Sequence, residues 1–308
     1  MAGINKIITV LGPTATGKTT FAAHLANAMN AEIISADSRQ VYRGMDLGTG
    51  KDLEDYVVDG IPIPYHLIDI VDPGYEYNVY EFQKDFLKAY ANISSRNVPV
   101  IMCGGTGLYL DSVIKGYHMF EVPENLELRL FLEEKSDAEL TDHLKSFKAV
   151  HNISDTSDRA RLIRAIEIQD SESKMPEKDK FPTFKSLNFG ISFDRETIKK
   201  RITERLQKRL KHGMIEEIQS LMNDGTSAKE LIFYGLEYKL VTQHVIGELS
   251  FDEMFRKLEI AIHQFSKRQM TWFRRMEKQG IEIHWIDGRI DTDEKVQFAL
   301  DEIKKSDF

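Results

Sequence analysis

An α/β fold with a parallel sheet covered by helices on both faces is what this chain predicts, and three observations carry the prediction. Short, almost wholly apolar runs bounded by Gly, Pro, Asp or Asn recur along the sequence. Amphipathic helical stretches follow the first and third of them. A glycine-bearing octapeptide joins the first run to its helix. Fully apolar strands alternating with helices are buried on both faces, which is the habit of parallel sheets.

The runs, in order, are Ile7 to Leu11, Glu32 to Ala36, His66 to Val71 and Val98 to Cys103. Leu187 to Phe193 and Ile281 to Ile286 would complete a sheet of six. The helix after the first run carries Phe21, Leu25 and Met29 on one face. Between Gly116 and Ser186 the pattern changes to charged helical segments, Asn125 to Glu134, Ala138 to Phe147 and Asp158 to Asp170, followed by a lysine- and proline-bearing loop. Residues 116–186 therefore read as a helical insertion, and residues 1–115 with 187–308 as the core. After the fifth run come helices from Glu196 to Lys211 and from Met214 to Asn223, with Gly213 as the break and Asp224-Gly225 as the stop. Ser250 with Glu253 makes a capping box for a long helix bearing Phe255, Leu258, Ile262, Phe265 and Trp272.

The 308 residues are 42% hydrophobic, enough for one large α/β domain with an insertion. A single cysteine, Cys103, excludes a disulfide framework and a cysteine-based zinc site, and reads as a small buried hydrophobe. The first strand begins almost at once, without a signal-like apolar segment, and no window approaches eighteen uninterrupted apolar residues, so a cytoplasmic location away from membranes is expected. The net charge of −8 argues at first against a nucleic-acid partner. Its distribution reverses part of that argument. Eight Lys or Arg face two Glu between Arg195 and Lys211, and Lys267, Arg268, Arg274, Arg275 and Lys278 crowd a second segment. Acidic residues gather instead between Glu121 and Asp142 and after Asp291.

The octapeptide is Gly12-Pro13-Thr14-Ala15-Thr16-Gly17-Lys18-Thr19. Its glycines let successive backbone N–H groups converge on phosphate oxygens beside a helix N-terminus, Lys18 reaches the outer phosphates, and Thr19 can ligate Mg²⁺. The core is thus P-loop NTPase-like. Asp37 ends the second strand, at the edge of the sheet where ligands bind, and is either a proton acceptor or metal partner there or a turn cap. Asp69 and Asp72, before Pro73, serve either as the metal-side acid of a triphosphatase or as turn formers. Gly104-Gly105-Thr106-Gly107 makes a second glycine-rich turn, which suggests two substrates meeting at one sheet edge. Arg201 and Arg205, four apart on a helix, can hold phosphate oxygens with paired guanidinium forks. Lys267, Thr271 and Arg274 form another row able to grip a polyanion, with Arg268 and Trp272 alongside; the indole either stacks on a base or packs in the core.

Taken in order, GPTATGKT, ISADSRQVYRGMDLGTGK, YHLIDIVDP, CGGTGLY, DRARLIRAIEI, RITER and KRQMTWFR resemble the motifs of the tRNA dimethylallyltransferases, also called tRNA isopentenyltransferases. The resemblance spans nearly the whole chain. It implies transfer of an allylic five-carbon group from dimethylallyl diphosphate to the exocyclic amino nitrogen of an adenosine beside the tRNA anticodon. Gly12 to Thr19 would then hold diphosphate rather than ATP, with Mg²⁺ at Thr19. Lys18 with Arg201 or Arg205 would stabilise the leaving group, Asp37 would take the amino proton, and Thr106 would assist. The implied tRNA contacts are Asp37, Ser38, Arg39, Gln40, Thr106, Arg129, Ala160, Arg161, Leu162, Ile163, Arg164, Lys267, Arg268, Gln269, Thr271, Trp272 and Arg274. A monomer is expected.

The chain departs from that pattern at Phe233-Tyr234-Gly235-Leu236-Glu237-Tyr238, where Glu237 stands in place of a basic residue and would repel a phosphate. The insertion is short and acidic, and one cysteine allows no zinc-finger extension. These departures leave open a prenyltransferase acting on free adenine nucleotides. The phosphate loop and acid-ended third strand leave open a small-molecule or nucleotide kinase.

Overall fold

The computed structural model describes residues 5–147, 158–173, 181–306 and 308. In chain order they form β1 (Asn5–Leu11), α1 (Lys18–Met29), β2 (Glu32–Ser35), β3 (Val57–Val58), β4 (Ile61–Pro62), β5 (Tyr65–His66), α2 (Val79–Ser94), β6 (Val100–Gly104) and α3 (Gly107–Ile114). Then follow α4 (Leu126–Glu133), α5 (Asp137–Phe147), α6 (Arg159–Ser173), β7 (Phe184–Ser192), α7 (Arg195–Lys211) and α8 (Met214–Asn223). The last elements are α9 (Ala228–Phe233), α10 (Leu236–Val245), α11 (Phe251–Lys278), β8 (His284–Asp287) and α12 (Thr292–Lys305).

Six strands pair in the order β5-β2-β6-β1-β7-β8, every pairing parallel. Alternation along β1 explains the two covered faces. Ile8 and Val10 join Phe21 and Leu25 of α1, and Ala299 and Ile303 of α12, in one core. Over the sheet's other face α2 and α3 pack together, with the Phe82 and Tyr109 rings stacked at 4.1 Å between centroids and Phe86 edge-on to Phe184. The order β2-β6-β1 places three strand ends side by side, so the loops after Leu11, Ser35 and Gly104 converge at one edge.

The third apolar run is corrected by the structure: only Tyr65 and His66 are strand. Leu67 and Asp69 take left-handed backbone angles (φ 63° and 55°), which turns the chain out of the sheet. Ile70 and Val71 instead hydrogen-bond to Val41. The fifth strand begins at Phe184 rather than Leu187, because Phe184 is buried against Phe86 and Tyr90. The capping boxes at Ser250 and Asn78 and the left-handed Gly213 start α11, α2 and α8.

The chain divides into two compact units, residues 1–117 with 182–308, and residues 118–181. The second contains α4, α5 and α6 around Leu132, Leu140, Leu144, Leu162, Ile163 and Ile166. Part of the lysine- and proline-bearing loop, residues 174–180, lies outside the described residues. In the first unit, α7, α8, α10 and α11 enclose a further core with Val41, Tyr42 and Met45 of the loop after β2. No described helix is long and apolar enough to cross a membrane.

At the N-terminal end of β2 the buried Glu32 accepts hydrogen bonds from both terminal nitrogens of Arg96 and lies 2.8 Å from the His66 ring. Arg96 draws its carboxyl down to about 2, burial opposes the shift, and His66 adds to it. An unfolded chain takes up a proton at Glu32 near pH 4.5, its ordinary value, that the native chain refuses until about pH 2, so this contribution is full above pH 4.5 and lost on acidification through that window. Urea midpoints of wild type and Glu32→Gln should therefore converge as pH falls from 4.5 toward 2; a gap independent of pH would contradict the assignment.

Candidate active site

Two chambers open where the three loops converge. One, of about 360 Å³, is bordered by Lys18, Asp37, Thr106, Glu237, Arg268 and Trp272 among others. The other, of about 330 Å³, is bordered by Gly17, Thr20, Asp52, Asp55, Arg201 and Lys208. Lys18, Thr19 and Arg205 belong to both, so the start of α1 separates the two spaces and serves each.

The phosphate loop is braced by its neighbours. The Thr16 hydroxyl donates to the Pro13 carbonyl at 2.9 Å, and left-handed Gly17 (φ 79°) turns the chain into α1. The Arg201 Nε donates to the Ala15 carbonyl at 2.8 Å while its guanidinium lies 4.6 Å over the Phe193 ring. Arg205 donates to the Thr14 hydroxyl (3.1 Å) and to Asp52 (2.6 Å), and Arg209 donates to both oxygens of Asp52 (3.1 and 3.0 Å). Burial lowers the Lys18 pKa, and the Asp37 carboxylate opposes that shift. Burial would raise that of Asp52, but Arg205 and Arg209 outweigh it and leave the carboxyl below its ordinary range. Asp55, half-buried and close to Asp52, is shifted upward by that partial burial and by the Asp52 charge.

The other side of the larger chamber is a stitched turn. The Arg39 N–H donates to Asp37 Oδ1 (3.1 Å), the Ser38 N–H donates to the Thr106 hydroxyl (3.0 Å), and that hydroxyl donates to Ser38 Oγ (3.3 Å). Arg39 reaches the Gly235 carbonyl at 3.2 Å. Gln40 accepts from Ser35 Oγ (3.0 Å) and donates to the Gly50 carbonyl (3.1 Å). The buried Gln269 joins the two glycine turns: its Oε1 accepts from the Thr14 N–H at 2.8 Å and its Nε2 donates to the Gly105 carbonyl at 2.9 Å. Trp272 is half-buried and lies on Gly107, where a Cβ would come within 2.5 Å of the indole. It therefore forms part of the chamber wall rather than the core interior.

The structure brings Lys18, Thr19, Asp37, Thr106 and Arg205 together around one chamber, with Arg201 on the adjoining one. Lys267, Arg268, Thr271 and Arg274 are exposed along α11. Ser38, Arg39 and Trp272 border the larger chamber, and several of the other implied RNA contacts are engaged within the protein. Gln269 and Gln40 spend both ends of their amides on the protein. Leu162 and Ile163 are buried in the core of the insertion, which removes their side chains from its surface, whereas Ala160 and Arg161 are not. Arg129 and Arg164 both pair with the buried Glu167, to which the Asn125 N–H also donates at 2.6 Å. Asp69 is paired with Lys51 and Asp72 with Arg43, and neither borders either of the two chambers. Sequence reasoning missed Asp52 and Arg209; the signal was the acid directly after the Gly48-Thr49-Gly50-Lys51 turn.

Among the described residues no three His, Cys, Asp or Glu side chains gather into a metal cage. Thr19 borders both chambers, and Asp37 shares the larger one with it. Such a sparse oxygen set fits Mg²⁺, which keeps several waters and takes substrate phosphates as ligands, and does not fit a metal requiring an all-protein shell.

Comparison with known proteins shows what the chain is similar to. It matches the family model described as IPP transferase over residues 40–276 and that described as isopentenyl transferase over residues 5–60. It is 56% identical over 300 residues to tRNA dimethylallyltransferase 2 of Bacteroides fragilis, covering 97% of this chain and 98% of that relative. Identity to tRNA dimethylallyltransferase 1 of Parabacteroides distasonis is 53% over 296 residues, 96% of each chain. The solved tRNA isopentenylpyrophosphate transferase of Bacillus halodurans superposes with a TM-score of 0.71 at 29% identity, covering 98% of this chain and 96% of that one. A eukaryotic dimethylallyltransferase acting on tRNA shares the fold, with a TM-score of 0.75 at 20% identity over 98% of this chain and 80% of that one.

Proposed function

This chain belongs to the IPP transferase family, and we propose that it transfers a dimethylallyl group from dimethylallyl diphosphate to the exocyclic amino nitrogen of an adenosine beside the tRNA anticodon. The observation that carries this reading is the sharing of one chamber by the carboxylate residue Asp37 and the phosphate-loop Lys18. A donor held by its diphosphate at Lys18 and Arg205 would have its allylic carbon beside the amino group that Asp37 orients.

In the proposed reaction the adenine nitrogen forms a bond to the allylic C1 as the bond from C1 to the diphosphate oxygen breaks. The amino proton passes to Asp37. Negative charge grows on the departing diphosphate, where Lys18, Arg205 and, from the second chamber, Arg201 stabilise it with little rearrangement, because the two arginines are already held by the loop. A magnesium ion at Thr19 would supply further neutralisation of that charge. Thr106 fixes Ser38 and hence the turn that carries Asp37. The adenosine must leave its stack to enter the chamber, at a cost of a few kcal/mol that contacts to the RNA backbone offset. Lys267, Arg268 and Arg274 on α11 are the exposed cations assigned to those contacts.

Asp37→Ala should lower kcat by roughly 10²–10⁴-fold while diphosphate binding, followed by calorimetry, is retained. An unchanged turnover would remove Asp37 as the base. Arg274→Ala should weaken tRNA binding and reduce the slope of log affinity against log salt by about one. A slope identical to that of wild type would make Arg274 a solvated residue without a phosphate contact.

A further inference from the structure

Glu217 of α8 borders neither chamber, yet its carboxylate meets four donors. The successive backbone N–H groups of Asp46, Leu47 and Gly48 donate to it at 3.0, 2.6 and 3.2 Å, and the Tyr238 hydroxyl donates at 2.5 Å. Consecutive N–H groups turned toward one point form a nest suited to an anion. Here the protein's own carboxylate fills it. Tyr238 is fully buried, and its ring lies so close to Gly48 that a Cβ there would stand 2.6 Å away. Burial and the Glu217 charge hold the Tyr238 hydroxyl protonated, as a donor must be.

This anchored loop leads directly into the site. Gly48, Thr49 and Gly50 border the larger chamber, and Gly50 is bonded to Gln40 of the turn that carries Asp37. Two residues further on, Asp52 holds Arg205 and Arg209. Lys51 ties the loop down through the Asp46 carboxylate (2.9 Å), the Tyr42 carbonyl and Asp69.

We propose that Glu217 is a positioning residue for prenyl transfer: by filling the nest at residues 46–48 it fixes the loop that walls the adenine side of the chamber and aligns Asp52 with Arg205 on the diphosphate side. This rests on the function proposed above. All four partners are donors, so the site calls for an acceptor at both oxygens. Glu217→Gln keeps the shape but turns an NH₂ group toward N–H donors. Tyr238→Phe removes one of the four bonds and leaves the carboxylate in place.

The test is steady-state kinetics of the full chain with tRNA and dimethylallyl diphosphate, well below each variant's melting temperature and normalised to folded protein. Glu217→Gln should lose roughly ten- to a hundredfold in kcat and show a raised KM for the diphosphate. Tyr238→Phe should move both constants in the same direction by less. Wild-type kcat and KM in Glu217→Gln, with only the melting temperature lowered, would overturn the proposal. If Glu217→Gln does not fold, wild-type constants in Tyr238→Phe overturn it equally. A wild-type enzyme that transfers no prenyl group to tRNA would instead remove the function on which the proposal rests, a failure distinguishable from one confined to the variants.

Discussion

The site depends on a buried amide. Gln269 spans the gap between the phosphate loop and the second glycine turn, accepting from one backbone and donating to the other. Without it, a buried carbonyl and an N–H on two separate loops would lose their partners, at about 1–3 kcal/mol each, and the spacing would rest on the pairing of Leu11 with Gly104 at the strand ends. The spacing matters because the proposed reaction needs diphosphate on one loop and adenine beside the other, with reacting atoms held within roughly 3–3.5 Å. The sheet makes this possible by seating β6 between β1 and β2. Gln269 then fixes the distance.

A second constraint is electrostatic. Lys18, Arg201, Arg205 and Arg209 crowd one side of the loop, and their mutual repulsion is relieved by Asp52, which takes two of the guanidinium groups. Arg201 is steadied differently, by a carbonyl and an aromatic face. The three arginines are thus ordered by the protein in advance, which would lower the reorganisation that the proposed reaction needs when charge develops. Departure of the Lys18 pKa in the downward direction is the cost of placing that amine where water is scarce.

Much of this was legible in the sequence where local chemistry dictates structure. The phosphate loop, five of the six strands and the capping box at Ser250 follow from residue types at fixed spacing. The run from His66 to Val71 misled because its apolar residues are buried outside the sheet: hydrophobicity reports burial, while the left-handed turns at Leu67 and Asp69 are set by pairing with Lys51 and the loop after β2. Helix α9 is too short to show a period, and α10 begins at Leu236 with an unfavourable positive φ that no local signal announces. In the site, motif residues such as Asp37 and Thr106 were visible, but the roles of Asp52, Arg209 and Gln269 arise from contacts between residues more than 150 positions apart. Leu162 and Ile163 belonged to an RNA-like motif by sequence alone; helical spacing around the buried Leu132 decides their direction.

The central claim is that a loop of the triphosphate-binding type here grips the inorganic part of an activated isoprenoid while a purine nitrogen attacks. The most direct test is incubation of the purified protein with labelled dimethylallyl diphosphate and, separately, tRNA, AMP and ATP. The claim predicts label on an adenine amino nitrogen of tRNA and release of one diphosphate for each group transferred. Transfer of the γ-phosphate of ATP to a small acceptor, with the allylic donor left intact, would contradict it.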